Sequence, residues 1–114
     1  MKINVANITI EVEIADSALK QSKGLMFRKR LADDKGMLFI FNSEAYHAIW
    51  MLNMNFPIDV IWIDSDHFIV DIARNVPPGI YPVHKPKEKS RYVLEVAAGF
   101  ADKQDIKIGD TVRF

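Results

Sequence analysis

From Ile8 to Ile14 the chain alternates without a break: Ile8, Ile10, Val12 and Ile14 fall on one side, Thr9, Glu11 and Glu13 on the other. A period of two predicts a half-buried strand with one solvated face, and Ile3 and Val5 ahead of Asn7 predict a short partner strand before it. The period then changes. Asp16 stands where a helix N-cap belongs, and Ala18, Leu19, Ser22 and Leu25 follow as a stripe with Lys20, Gln21 and Lys23 outward. That spacing predicts a helix, ended or kinked at Gly24. The stretch "LMFRKRLADDKG" runs through a basic cluster into a polar turn, and "GMLFIF" over 36–41 is apolar almost throughout, as a strand buried on both faces is.

Residues 45–52 predict another strand, with Ala48, Trp50 and Leu52 on one face and His47, Ile49 and Met51 on the other. Pro57 has no N–H for a ladder and marks the entry to a strand at Ile58–Ile63. Asp64-Ser65-Asp66 turns the chain into a strand at Phe68–Ala73, predicting a hairpin. Residues 76–90, "VPPGIYPVHKPKEKS", hold four of the five prolines; they predict a long segment without regular structure, either a functional lid or a surface wrap. Tyr92–Ala97 reads as a strand, Gly99–Lys103 as a short helical turn, and "IKIGDTVRF" as a closing strand pair bent at Gly109-Asp110. Many short strands beside one helix predict a mainly β, α+β fold over a single domain, residues 1–114. The expected architecture is an antiparallel sheet curled into a partial barrel or sandwich, with the helix over one opening.

The totals narrow the function classes. At 114 residues the chain can close a core without metals or disulfides. Fifteen basic and fifteen acidic residues cancel, so no overall field draws the molecule to nucleic acid or an anionic membrane, and neither is an expected partner. The absence of cysteine excludes a disulfide framework, thiol catalysis and thiolate zinc sites. The opening "MKINVANITIEVEIAD" carries Glu11, Glu13 and Asp16 and has no uninterrupted apolar core of a signal peptide. The expectation is a cytoplasmic monomer.

No phosphate-binding loop, dinucleotide fingerprint, nucleophile elbow, zinc-protease helix or calcium loop is present. His47, His67 and His84 stand apart from one another, so no metal and no cofactor is expected. Two carboxylates do interrupt apolar strand faces: Asp59 shares a face with Ile61 and Ile63, and Glu95 shares one with Val93 and Ala97. A carboxylate on such a face must be ion-paired, hydrogen-bonded or raised in pKa, because bare burial costs several kcal/mol. Asp59 and Glu95 are therefore either an acid–base pair or ligand anchors, or else partners of a structural salt bridge to Arg28, Arg74 or Arg91. Asn53 and Asn55 before Pro57 suit a turn held by their own side chains. Trp50, Met51, Met54, Phe56 and Trp62 are either core or pocket lining, since a buried indole N–H seeks a partner and often sits at a rim. The runs Arg28-Lys29-Arg30 and Lys85, Lys87, Lys89, Arg91 either attract an anion or form solvated faces.

The blocks "GLMFRKRL", "GMLFIF", "WMLNMNFPIDVIWID", "RYVLEVAAGF" and "IKIGDTV", in this order, resemble the family called domain of unknown function 192. The resemblance implies a compact β-rich domain, with some members cytoplasmic and some exported behind a leader, and it carries no established activity. Its pattern matches Arg28, Trp50, Met51, Asn53, Pro57, Asp59 and the run Tyr92 to Glu95; where it often has lysine and threonine, this chain has Leu52 and Met54. The sequence thus predicts a binding or accessory domain for a small polar ligand or a protein partner, with Arg28, Trp50, Met51, Asn53, Asp59 and Glu95 converging on a concave patch. The alternative is a hydrolase using Asp59 and Glu95 as an acid–base pair roughly 5–10 Å apart. A third reading makes Arg28 and the carboxylates a buried network that fixes the fold.

Overall fold

The structure is a computed structural model that describes the backbone of residues 1–114 and the side chains of 1–79 and 83–114. Strands β1 (Lys2–Val5) and β2 (Ile8–Ala15) lead into α1 (Ala18–Lys23) and β3 (Lys35–Ala45). Strands β4 (Ile49–Met51), β5 (Ile58–Ile63), β6 (Ile69–Val76), β7 (Gly79–His84) and β8 (Ser90–Ala97) follow, then α2 (Phe100–Lys103) and β9 (Val112–Arg113). Seven strands make one sheet in the order β6-β5-β8-β3-β2-β1-β9, and β4 and β7 form a separate two-stranded ribbon.

The large sheet curls until its ends meet. Ile69 N–H donates to Asp110 O at 2.8 Å, Gly109 N–H to Ile69 O at 2.8 Å and Val112 N–H to His67 O at 2.9 Å, which ties the start of β6 to the segment entering β9. The expected partial barrel is therefore the observed fold. One pairing departs from the antiparallel expectation: β2 and β3 run parallel, with Ile14 opposite Leu38. α1 lies within the crossover that a parallel pair requires.

Curling gives the sheet two buried faces. Ile10, Val12, Leu38, Ile61, Leu94 and Val96 pack on the inner face with Phe100, Ala101 and Ile106. Met37, Phe39, Val60, Trp62 and Val93 pack on the outer face, beneath Leu25, Ile49 and Met51. This is why β5 is buried at every position: each side of its pleat meets a different core. At Gly36 a Cβ would lie 2.8 Å from the Glu95 carbonyl oxygen, so β3 and β8 approach closely there only because the side chain is absent.

Four local expectations need correction. α1 spans six residues, is capped by Ser17 rather than Asp16, and buries none of its side chains; Leu19 is 81% exposed. A helix of fewer than two turns is too short to lay a stripe on the core. Gly24, at φ +48°, instead turns the chain so that Leu25 enters the core from the following loop. Residues 45–52 are not one strand, because β3 runs on to Ala45 past an irregularity in its pairing with β8, leaving β4 only Ile49–Met51. The proline-rich segment contains β7, whose His84 pairs with Ile49 and whose Gly79 pairs with Met51. Both strands of a two-stranded ribbon are edges, where the sequence rules for proline are relaxed. At the C-terminus a single strand, β9, closes onto β1 in place of the expected strand pair.

Candidate functional site

β5 and β8 pair with Asp59 opposite Val96 and Val60 opposite Glu95. Directly opposed residues share a face and neighbours alternate, so the two buried carboxylates leave the sheet in opposite directions. Asp59 enters the inner core and Glu95 the outer one.

Asp59 is fully buried and its carboxyl accepts from three backbone amides. Its Oδ1 takes the Asn75 N–H at 2.9 Å and the Gly99 N–H at 3.3 Å, and its Oδ2 takes the Ala101 N–H at 2.8 Å. Asn75 lies in β6 at φ +52° and Gly99 precedes α2 at φ +91°. One side chain thus satisfies amides on two segments that have no common ladder. Three backbone amides, and no arginine, hold Asp59 in an apolar face.

Glu95 has no such partners. It is 5% exposed, and among the described residues its carboxyl makes no hydrogen bond or ion pair; burial alone pushes its pKa up to about 8. The carboxyl borders a cavity of about 40 Å³ whose walls include Leu25, Met26, Phe39, Met51, Leu52 and Met54, with Trp50 among them. Gln21 also borders it, but its side-chain amide already donates to the Ala15 carbonyl at 3.1 Å and to that of Ile40 at 2.8 Å. The result is a greasy recess with one acidic group and a half-exposed indole. At pH 7 that group is a neutral acid, able both to donate and to accept a hydrogen bond.

The recess depends on a tight turn. Asn53 adopts φ +58°, a left-handed conformation that asparagine tolerates better than most residues. Its carbonyl accepts the Phe27 N–H at 2.9 Å, and the Asn55 side-chain amide donates to the Arg28 carbonyl at 2.9 Å. Two backbone groups after α1 are thereby stitched to the loop after β4. Asn53 itself is exposed and shapes the recess from outside.

The six residues singled out in the sequence do not form one site. Trp50, Met51 and Glu95 line the same recess. Asn53 frames it. Asp59 is on the other side of the sheet, and the Arg28 guanidinium makes a two-point pair with Glu13, its Nη2 lying 3.0 Å from Oε1. That bond holds the Glu13 carboxyl below its usual range, and both side chains border a wider groove over β2 and β3. The convergence of Arg28, Asp59 and Glu95 is thus corrected: β-sheet register separates the acids, and Glu13 engages the arginine. Nor does either acid pair with Arg74, which donates through Nε to Asp102 at 2.8 Å. The two tryptophans divide likewise, Trp62 being buried with its N–H donated to the His47 carbonyl at 2.7 Å, and Trp50 being 50% exposed. Met26 and Leu25 were missed as wall residues because they follow a glycine whose turn has no periodic signature. No group of three or more His, Cys, Asp or Glu able to hold a metal occurs among the described residues.

Comparison with known proteins gives these features a family. The model of DUF192, described as Uncharacterized ACR, matches residues 1–114. The chain belongs to this family. A UPF0127 protein of Pyrococcus horikoshii is 36% identical over 110 residues, covering 91% of this chain and 87% of the relative. One from Thermococcus gammatolerans is 32% identical over 108 residues, and there the match spans 89% of this chain but only 64% of the relative. The crystal structure of a Novosphingobium aromaticivorans protein of unknown function superposes with a TM-score of 0.95 at 31% identity, over 100% of this chain and 84% of that one. A Sinorhizobium meliloti protein proposed to be a transcription regulator superposes with a TM-score of 0.93 at 31% identity, over 98% and 91% of the two chains. In this DUF192 chain Leu52 and Met54, the positions where the resemblance implies lysine and threonine, both line the recess. No helix among the described residues is long and apolar enough to cross a membrane.

Proposed function

We propose that the domain binds a small ligand in the outer recess, with the Glu95 carboxyl as its polar anchor and Trp50, Met51, Leu52 and Met54 as its apolar walls. The observation that supports this reading is the contrast in satisfaction: Glu95 is buried, and among the described residues its carboxyl has no hydrogen-bond or ion-pair partner. A buried acid without a partner destabilises a fold relative to a well-packed apolar residue, so its presence is better explained by an occupant than by packing. A mostly apolar lining with few convergent polar groups is the usual lining of small-molecule sites, and a volume of about 40 Å³ limits the occupant to a small group.

The hydrolase reading has less behind it. A glycosidase-like pair needs two carboxyl groups on either side of one bond, and Asp59 is turned into the opposite core. Among the described residues Glu95 is the only carboxylate bordering the recess. Nucleic acid is also disfavoured by a net charge of zero.

Trp50 supplies the assay. A fragment library screened by tryptophan fluorescence and by chemical-shift mapping should give ligands that perturb Trp50, Leu52 and Met54 together. Hits that leave these residues unmoved, or that bind Glu95→Gln as tightly as the native chain, reject the site.

A further inference from the structure

We infer that the group this recess receives is a primary alkylammonium, its charge paired with the Glu95 carboxylate and its methylenes lying along Met51, Leu52, Met54 and Trp50. The inference rests on the binding reading above and names its ligand class.

Three observations carry it. First, the recess presents a buried carboxyl that pairs with no cation among the described residues, and a cationic ligand would supply that partner. An anionic head would instead meet the acid. Second, the walls suit a cation on a hydrocarbon stem: they include the aromatic residues Trp50 and Phe39 and the polarisable thioethers of Met26, Met51 and Met54. Third, the space is slim. A volume of about 40 Å³ takes roughly three water-sized groups, which fits an ammonium nitrogen and two methylenes and excludes a bulky trimethylammonium.

Pairing moves a proton. The ammonium keeps its three hydrogens, the Glu95 carboxylic acid gives its single proton to solvent, and an ion pair replaces a neutral acid. Around Glu95 the neighbouring strands offer Met37 of β3 and Val60 of β5, neither of which titrates. The loop after β4 offers Leu52 and Met54, and α1 offers Gln21, Ser22 and Lys23. Among the described residues Lys23 is thus the only other ionisable side chain bordering the recess, and it is exposed. Because Glu95 titrates near pH 8, binding of the amine should tighten about tenfold per pH unit from pH 6 and level off near pH 8.

The test titrates n-butylammonium, tetramethylammonium, n-butanol and the Nα-acetyl-lysine amide into the intact chain from pH 6 to 9, followed by chemical shifts and by calorimetry in buffers of different ionisation heat. The expected result is binding of n-butylammonium at least tenfold tighter than that of tetramethylammonium or butanol, release of close to one proton at pH 6.5, and loss of binding in Glu95→Gln. Trp50→Ala, a change at an exposed ring, should weaken it several-fold without unfolding the chain. Equal affinity for the lysine amide supports a lysine side chain of another protein as the natural source, and weaker affinity supports a free amine. If butanol binds as well as the amine, or the amine binds without pH dependence, the ammonium assignment fails while the recess stands as a site. If none of the four probes perturbs the recess, both the assignment and the binding reading fail.

Discussion

Asp59 and Glu95 sit on adjacent, paired strands and are both withdrawn from water, yet the protein treats them in opposite ways. Asp59 receives three backbone N–H groups drawn from β6 and the start of α2. Glu95 receives none among the described residues. The same residue class at the same depth therefore serves two ends: one acid stabilises the fold because its desolvation is offset by charge-assisted hydrogen bonds, and the other is held at a standing cost. Burial of an acid is not by itself a sign of function; what distinguishes the two is whether the fold supplies the bonds.

Four experiments break or sharpen that contrast. The largest effect is expected at Asp59→Ala, which strands three amides inside the protein and should cost about 3–5 kcal/mol in urea unfolding; a loss under about 1 kcal/mol would show that Asp59 is no clamp. Next comes the pH profile of Glu95. Its folded pKa, about 8, lies above the ordinary 4.5, so the folded state holds the extra proton between these values. Stability is then complete below about pH 4.5 and declines as pH rises to about 8, by at most about 1.4 kcal/mol per unit. Glu95→Gln should flatten this slope and exceed the native chain by roughly 2–4 kcal/mol at pH 9, and a parallel profile for the two proteins would contradict the buried unpaired acid.

A smaller change should follow Leu52→Lys. It places an ammonium beside the recess, and pairing should lower the Glu95 pKa and recover about 1–2 kcal/mol at pH 8. Carboxyl chemical shifts follow the titration directly, and an unmoved midpoint would mean that residue 52 does not reach Glu95. The smallest effect belongs to Arg28→Ala. Its pair with Glu13 is largely solvent-exposed, so a double-mutant cycle should return less than about 1 kcal/mol. A larger coupling would restore Arg28 to the structural network considered from sequence.

Much of the sheet was legible because strand alternation records burial directly, and β5 was found at its observed limits, Ile58–Ile63. β7 was hidden by prolines before, within and after it, and the brevity of α1 made its apolar spacing misleading. At the site, chemistry was legible and geometry was not. Asp59 and Glu95 stood out as acids in apolar strands, and each was assigned the right companions on its own strand. Which of the two cores each face meets is decided by register against other strands: Val60 opposite Glu95 and Asp59 opposite Val96. Nothing local to either strand encodes that offset. Arg28 was misplaced for a similar reason, since its partner Glu13 is fifteen residues away across a crossover.

α1 has a consequence for how the recess behaves. With every side chain at least partly outside the core, it lacks the roughly 1.5–3 kcal/mol that each fully buried large aliphatic side chain contributes, and it relies on the Ser17 cap and the two bonds of Gln21. Segments so lightly anchored detach in brief local excursions long before global unfolding. Amide deuterium uptake should therefore begin at residues 18–23, and each excursion would momentarily admit more bulk water to an acid that otherwise touches little of it.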